Sequence, residues 1–206
     1  MIQIDRTNAV TVGLDLYSVA PRHQDALVEA IVQQQIESWL SSNFLKSASI
    51  HKSLDGVRVF TYSQWIPKFD YRNLSRPTVF TEFFPPDSHL LEVFASQPIS
   101  QEVSIVAGDR ITHLAEFRMI PANQQEMMKR ASTELDRAMN NSPGLISATF
   151  HRSLDGTRVF NYGQWESQEA FESILKQPGF NPEEPYWAGI ARNEFHLYQV
   201  VHAYEK

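Results

Sequence analysis

The chain has no cysteine among its 206 residues. That absence removes disulfides, thiolate nucleophiles and cysteine-ligated zinc or iron–sulfur centres together. It also lacks any apolar run approaching the roughly 20 residues that cross a bilayer. The opening stretch, MIQIDRTNAV, has neither the basic nor the apolar region of a secretory leader. The expectation is a cytoplasmic protein with no membrane partner. Basic residues are in deficit, with 18 Lys and Arg against 24 Asp and Glu, a net charge of -6 and a pI near 5.6. Phosphate backbones are held by clustered cations, so nucleic acid is excluded as a partner. No His or carboxylate cluster has the close spacing of a metal site, and no metal is expected.

What is present is enough apolar material for a core, 42% hydrophobic and 12% aromatic, and a duplication. HKSLDGVRVFTYSQW at 51–65 recurs as HRSLDGTRVFNYGQW at 151–165, identical at eleven of fifteen positions. The 100-residue offset extends backward without a gap: Leu14 falls on Leu114, Pro21 on Pro121, Gln24 on Gln124 and Leu45 on Leu145. A self-similarity of this kind marks two structural units built from one plan. After Trp65 and Trp165 the copies diverge, and copy one loses about seven residues before HLLEVF at 89–94 matches HLYQVV at 196–201. The expected modules are 1–100 and 101–206.

In copy two, ITHLAEFRMI reads as a strand, and Met127, Ala131, Leu135 and Ala138 form the apolar stripe of a helix of about twenty residues. Ser142-Pro143-Gly144 ends that helix. Two strands follow, joined through Leu154-Asp155-Gly156, where an Asp-Gly pair supplies the turn chemistry of a hairpin; Asp55-Gly56 repeats it. A short helix capped by Ser167, a Pro-rich stretch with a turn of helix near Tyr186 to Ala191, and a last strand, EFHLYQVVHAY, complete the module. The order β-α-β-β-α-β is that of the ferredoxin-like fold. One sheet face is covered by helices and the other needs a cover, which the second copy can supply. The expected architecture is α+β: two tandem ferredoxin-like modules forming an intrachain pseudo-dimeric α+β barrel with a cavity between the sheets.

Strand alternation sorts the side chains into two sets. Val12, Leu14 and Leu16 are assigned to the helices, leaving Gly13, Asp15 and Tyr17 for the cavity, with His113, Ala115 and Phe117 as their counterparts. Thr61, Ser63 and Trp65 share one face of the third strand, matched by Asn161, Gly163 and Trp165. Small polar residues beside a Trp suggest a pocket wall.

On these residues the chain resembles the antibiotic biosynthesis monooxygenase family, dimeric α+β-barrel proteins whose third strand ends in a Trp followed by a short Glu- and Phe-containing helix. WESQEAF at 165–171 and the final HLYQVVHAYE carry the likeness, which covers nearly all of copy two. Copy one shares the hairpin and Trp65 and departs afterward with IPKFDYRNL. The family includes cofactor-free oxygenases that turn anthrone-like polyketides into quinones, and heme-degrading oxygenases. In the quinone-forming members an Asn and a Trp four residues apart lie in the cavity; Asn161 and Trp165 have that spacing, whereas copy one has Thr61. Heme degradation is disfavoured: Phe117 and Tyr17 stand where the heme-contacting Asn would be, and the region of the axial His, GFNPEEPYWAGI, has no His.

The resemblance implies a cofactor-independent monooxygenase acting on a small aromatic or polyketide-like molecule with dioxygen, its site in the second module. A substrate that supplies its own electrons needs an apolar cavity, a base and a donor to the developing anion. Asn161 is the candidate donor, Trp165 the stacking partner, His113 the base because imidazole titrates near neutrality, and Tyr198 an aid to Asn161. Trp65, Thr61, Asp15, Tyr17 and Phe117 are candidate substrate contacts. The recurring pairs His51/His151 and His89/His196 are read as hairpin or interface hydrogen-bonding groups. Rival readings are a polyketide cyclase or isomerase and a non-catalytic carrier of a small hydrophobic ligand. The chain is expected to act as a monomeric pseudo-dimer or a homodimer.

Overall fold

The computed structural model describes residues 1–74, 85–108, 110–181 and 183–206. In chain order its elements are β1 (Ile2–Gln3), β2 (Thr11–Ser18), α1 (Gln24–Ala30), a π-helical stretch (Ile31–Ile36), α2 (Glu37–Ser41), β3 (Leu45–Ser53), β4 (Arg58–Trp65), β5 (Asp87–Gln97) and β6 (Ser104–Ile105). Copy two follows with β7 (Ile111–Arg118), α3 (Gln124–Asn141), β8 (Leu145–Ser153), β9 (Arg158–Trp165), α4 (Gln168–Ile174) and β10 (Arg192–Glu205). The eight long strands hydrogen-bond in the order β10-β3-β4-β2-β5-β8-β9-β7, which closes on itself, the antiparallel barrel of the expected α+β class. Among the described residues, no helix is long and apolar enough to cross a membrane.

Two compact units divide the chain: Met1–Leu91, Ser104–Asp109 and Tyr198–Lys206 in unit one, Glu92–Val103 and Arg110–Leu197 in unit two. They differ from the modules 1–100 and 101–206 because two long strands each serve both units. Residues 87–91 of β5 pair with β2, and residues 198–205 of β10 pair with β3, within unit one. The remainder of each strand belongs to unit two. The two-residue pairing of β1 with β6, Ile2 opposite Ile105, also lies in unit one and has no counterpart in the sequence pattern.

The duplicated sequence folds through duplicated local chemistry. In each hairpin an Asp accepts from the Ser two residues back and from the backbone N–H two residues on: Asp55 from Ser53 Oγ at 2.6 Å and Val57 N at 3.2 Å, Asp155 from Ser153 Oγ at 2.7 Å and Thr157 N at 2.9 Å. The following glycines take φ of +81° and +79°, where an L side chain is strained. Gln24 and Gln124 then tie the start of each helix to its hairpin. Their side-chain N–H groups donate to Ser53 O and Arg58 O, and to Ser153 O and Arg158 O, at 2.9 and 3.0 Å in both copies.

The fold corrects the assignment of strand faces. Gly13, Asp15 and Tyr17 look toward the helices, not away from them: Tyr17 packs in one cluster with Leu27 and Ile31, and Gln35 of the π-helical stretch donates to Asp15 at 2.7 Å. The cavity-forming set of β7 and β9 likewise faces α3. Alternation fixed which residues share a face, but Val12 and Leu14 are buried too. With both faces apolar, period alone does not say which meets a helix.

The copies differ after the third strand. In unit two α4 follows β9, its N-terminus capped by Ser167 Oγ accepting from Ala170 N at 3.2 Å. In unit one the described residues there hold a single 3-10 turn, Tyr71–Asn73. The expected turn of helix near Tyr186 to Ala191 is a run of turns, with Ala191 N donating to Trp187 O.

Candidate active site

In unit two the helix-facing side of the sheet leaves a cavity of about 370 Å³, in the size range of small-molecule sites. Its floor is the inward set of three strands: His113 and Ala115 from β7, Ala148 and Phe150 from β8, Asn161, Gly163 and Trp165 from β9. Register places them as neighbours, His113 opposite Gly163 and Ala115 opposite Asn161, with Ala148 and Phe150 on the other flank. Leu135 and Ala138 of α3 and Phe171 of α4 wall it. Tyr186, Trp187 and Phe195 close the remaining side with edge-on aromatic contacts; Trp187 meets Phe117 at 5.3 Å and Tyr186 at 4.8 Å.

His113, Glu134, Asn161, Asn193 and the Trp165 indole N–H bring polar atoms to this mostly apolar surface. Asn161 Oδ1 and Trp165 Nε1 are both buried and both without a hydrogen-bond partner. Leaving a buried polar atom unpaired costs about 1–3 kcal/mol, so each is a place where a ligand can recover free energy. Thr61, the counterpart of Asn161, has a buried unpaired hydroxyl as well. The free indole N–H, by contrast, belongs to copy two, because Trp65 Nε1 donates to Ser63 Oγ at 2.8 Å.

His113 contacts Phe171 at 4.7 Å and Phe195 at 5.6 Å between ring centroids. Loss of hydration among these rings lowers its pKa to about 3. Its titration therefore lies well below the near-neutral range expected of an imidazole, and the ring stays neutral across the physiological range. At the rim, Glu134 is held by Arg137, whose Nε donates to Glu134 Oε2 at 2.7 Å. Burial and the Glu134 charge push the Tyr186 phenol up.

Of the residues singled out from sequence, Asn161, Trp165, His113 and Phe117 come together on this cavity. Tyr198 does not join them: it belongs to unit one, buried edge-on against Phe60 at 4.7 Å. Asp15, Tyr17, Thr61 and Trp65 are not part of this cavity's lining. They are packed inside unit one, where Trp65 meets Trp39 edge-on at 5.2 Å and stacks on Tyr71 at 5.6 Å. Asp15 is fully buried rather than solvated at a strand end, and accepts from Gln35 Nε2 and Tyr71 Oη at 2.7 Å each. His51 and His151 are buried inside their units, and desolvation lowers them to about 3 and about 4.

Sequence reasoning missed Phe171, Phe195, Tyr186 and Trp187 as cavity residues. Phe171 was visible within WESQEAF, six residues after the strand-ending Trp. Tyr186 and Trp187 sit on turns without periodicity, and their only signal was two large aromatics in a Pro-rich polar stretch.

Known proteins bear on this site. The family profile described as "Antibiotic biosynthesis monooxygenase" matches residues 110–181, the stretch that supplies most of the cavity. Tetracenomycin-F1 monooxygenase of Streptomyces glaucescens is 30% identical over 96 residues, covering 47% of this chain and 86% of that protein. Among solved structures, that of an anthrone oxidase-like protein matches with a TM-score of 0.80 and 19% identity, covering 99% of this chain and 96% of that one. The structure of a major regulator of staphylococcal pathogenesis matches at 0.58 and 9% identity, covering 93% and 99%. Identities this low speak to fold alone, and one fold carries many functions. The S. glaucescens relative, alike over most of its length, and the profile lying on the cavity residues make this chain a member of the antibiotic biosynthesis monooxygenase family.

Proposed function

We propose that the protein is a cofactor-independent monooxygenase that oxidises a small, electron-rich aromatic or polyketide-like substrate to a quinone in the cavity of unit two. The observation that carries this reading is the pair of unpaired polar atoms, Asn161 Oδ1 and Trp165 Nε1, on a wall made mostly of aromatic and aliphatic side chains. A flat ring system fits such a wall, and its oxygens meet the two polar atoms. An anthrone-type substrate loses a proton from its ring methylene and becomes a delocalised oxyanion. That anion reduces dioxygen and forms a carbon–oxygen bond, giving a hydroperoxide; loss of the second methylene proton with cleavage of the O–O bond leaves the carbonyl and water. All electrons come from the substrate.

The chain's share is binding, orientation and proton handling. The Trp165 indole N–H stabilises the oxyanion, and a donor placed where charge develops in a dry site is worth several kcal/mol in such chemistry, about 3–4 in well-measured cases. His113 is the proton acceptor. Although desolvation makes its imidazole a weak base, the anion formed beside it offsets that cost by direct attraction.

The test is dioxygen uptake by protein treated with a chelator, offered a panel of anthrones and hydroquinones, with Asn161→Ala and Trp165→Phe alongside. Uptake by the wild type that falls at least about tenfold in both variants supports the reading. Tight binding of the panel with no uptake assigns the cavity to a carrier or cyclase instead.

A further inference from the structure

We infer that Gly163 is a specificity-determining residue of the second copy: by carrying no side chain it leaves the Trp165 indole N–H free for a ligand oxygen, so the site selects a ring system that presents a carbonyl or phenolate oxygen at that point. The inference rests on the proposed site and names what part of the ligand it reads. Its ground is the comparison the duplication provides. In copy one, position 63 is Ser, and its hydroxyl accepts from Trp65 Nε1 at 2.8 Å while itself donating to Gly13 O at 3.2 Å. The indole there is satisfied within the protein. In copy two the same strand, register and Trp recur, but position 163 has no side chain and the Trp165 N–H has no partner.

A Cβ at Gly163 would lie 3.3 Å from Trp165 Nε1 and 3.3 Å from His113 Nδ1. A serine at 163 would therefore be placed to reach the indole as Ser63 does, and to take the hydrogen bond that the buried, unpaired N–H otherwise offers a ligand oxygen. An indole nitrogen donates and never accepts, so the group it recognises is fixed as an acceptor. Asn161 Oδ1, two residues away on the same face, is unpaired as well and calls for a donor. Together they describe a ring carrying an acceptor oxygen with a hydroxyl nearby, a hydroxy-aromatic ketone or its enolate.

The 3.3 Å approach to His113 suggests a rival account, in which Gly163 merely makes room for the imidazole. Two variants separate the accounts. Gly163→Ala takes up the room and supplies no acceptor, whereas Gly163→Ser takes up slightly more and supplies one. The readouts are the Trp165 indole N–H resonance in ¹⁵N-labelled protein, assigned by its loss in Trp165→Phe, and the dissociation constant of 1,8-dihydroxyanthrone under argon, with anthracene as the oxygen-free control.

The expected result is a Trp165 N–H that shifts on adding 1,8-dihydroxyanthrone to wild type and not on adding anthracene. In ligand-free Gly163→Ser that resonance moves toward the position of Trp65, and affinity for the hydroxyanthrone falls about tenfold while Gly163→Ala loses no more than about threefold, the range expected for one hydrogen bond. Equal loss in Ala and Ser with an unmoved indole resonance overturns the inference in favour of simple space. The oxygenase reading fails separately. A shifted Trp165 N–H without dioxygen uptake leaves the inference standing and removes the oxidation, and uptake with an unshifted Trp165 N–H does the reverse.

Discussion

Unit one and unit two start from one sequence plan, and they spend the same space differently. Where unit two has a cavity floored by Ala115, Gly163 and Asn161, unit one has Asp15, Ser63 and Thr61, with Gln35 and Tyr71 bonded to the carboxylate. Leu135 faces the cavity in one copy; in the other, Gln35 reaches into the sheet. Phe171 borders open space, whereas Tyr71 stacks on Trp65 and bonds Asp15. Four of the changes in unit two, Ala115, Gly163, Leu135 and Phe171 in place of Asp15, Ser63, Gln35 and Tyr71, remove a polar group, and Asn161 in place of Thr61 presents one to the space so opened. In unit one Asp15, Gln35, Ser63 and Tyr71 fill volume and bond to one another or to their neighbours, while the Thr61 hydroxyl stays unpaired. The difference teaches that a cavity can be made by subtraction: the strands and hairpins stay, and four internal polar partners are absent where the cavity opens.

The contrast can be broken most sharply at the paired tryptophans. Trp65→Ala empties an enclosed position among Trp39, Phe69 and Tyr71 and should cost about 3–5 kcal/mol by chemical denaturation. Trp165→Ala, beside an existing cavity, should cost clearly less; equal losses would mean that the cavity is no weaker in packing than the filled core. Next in size is Asp15→Ala, which strands the Gln35 amide and Tyr71 hydroxyl at about 1–3 kcal/mol for each group left unpaired. Adding the paired change Tyr71→Phe should then cost little more, and thermal melts of the single and double variants measure that coupling.

Acid separates the copies by one residue. His51 and His151 have folded pKa values of about 3 and about 4, below the unfolded 6.5, and His113 about 3. Neutral burial of each therefore stabilises the fold fully above pH 6.5, and the contribution is lost as pH falls toward the folded values. Copy one has Gly13 where copy two has His113. Replacing His113 by Phe should flatten the stability curve between pH 6.5 and 3 by about as much as His51→Phe does, since each removes one desolvated imidazole of similar shift; urea midpoints across that range give the slopes. The smallest effect belongs to what the copies share. Gly56→Ala and Gly156→Ala force a side chain onto φ near +80° in both hairpins and should each cost about 1 kcal/mol. Unequal costs would show that the hairpins are less alike than their hydrogen bonds.

Much of this was legible in the sequence because it is local. The Asp-Gly hairpins, the Ser167 cap, the stop at Ser142-Pro143-Gly144 and the repeat itself depend on residues within a few positions of one another, and all are where the pattern put them. So is the cavity face of β9, since Asn161, Gly163 and Trp165 follow from a period of two. What was illegible depends on which layer covers a face. Leu14 and Tyr17 are equally buried, so the side facing the helices was assigned in reverse. Tyr198 was joined to Asn161 because both stood in copy two, but β10 passes from one unit to the other and carries Tyr198 with it. The low titration of His113 arises from Phe171 and Phe195, which lie 58 and 82 positions away in the chain.

The central claim, that unit two holds the site and unit one its filled counterpart, is tested most directly by dioxygen uptake in two variants of matched position, Asn161→Ala and Thr61→Ala, with an anthrone that the wild type oxidises. The account predicts that Asn161→Ala loses about tenfold in turnover, the order of one lost hydrogen bond to the substrate, while Thr61→Ala keeps the wild-type rate. Equal loss in both variants, or loss only in Thr61→Ala, would contradict it.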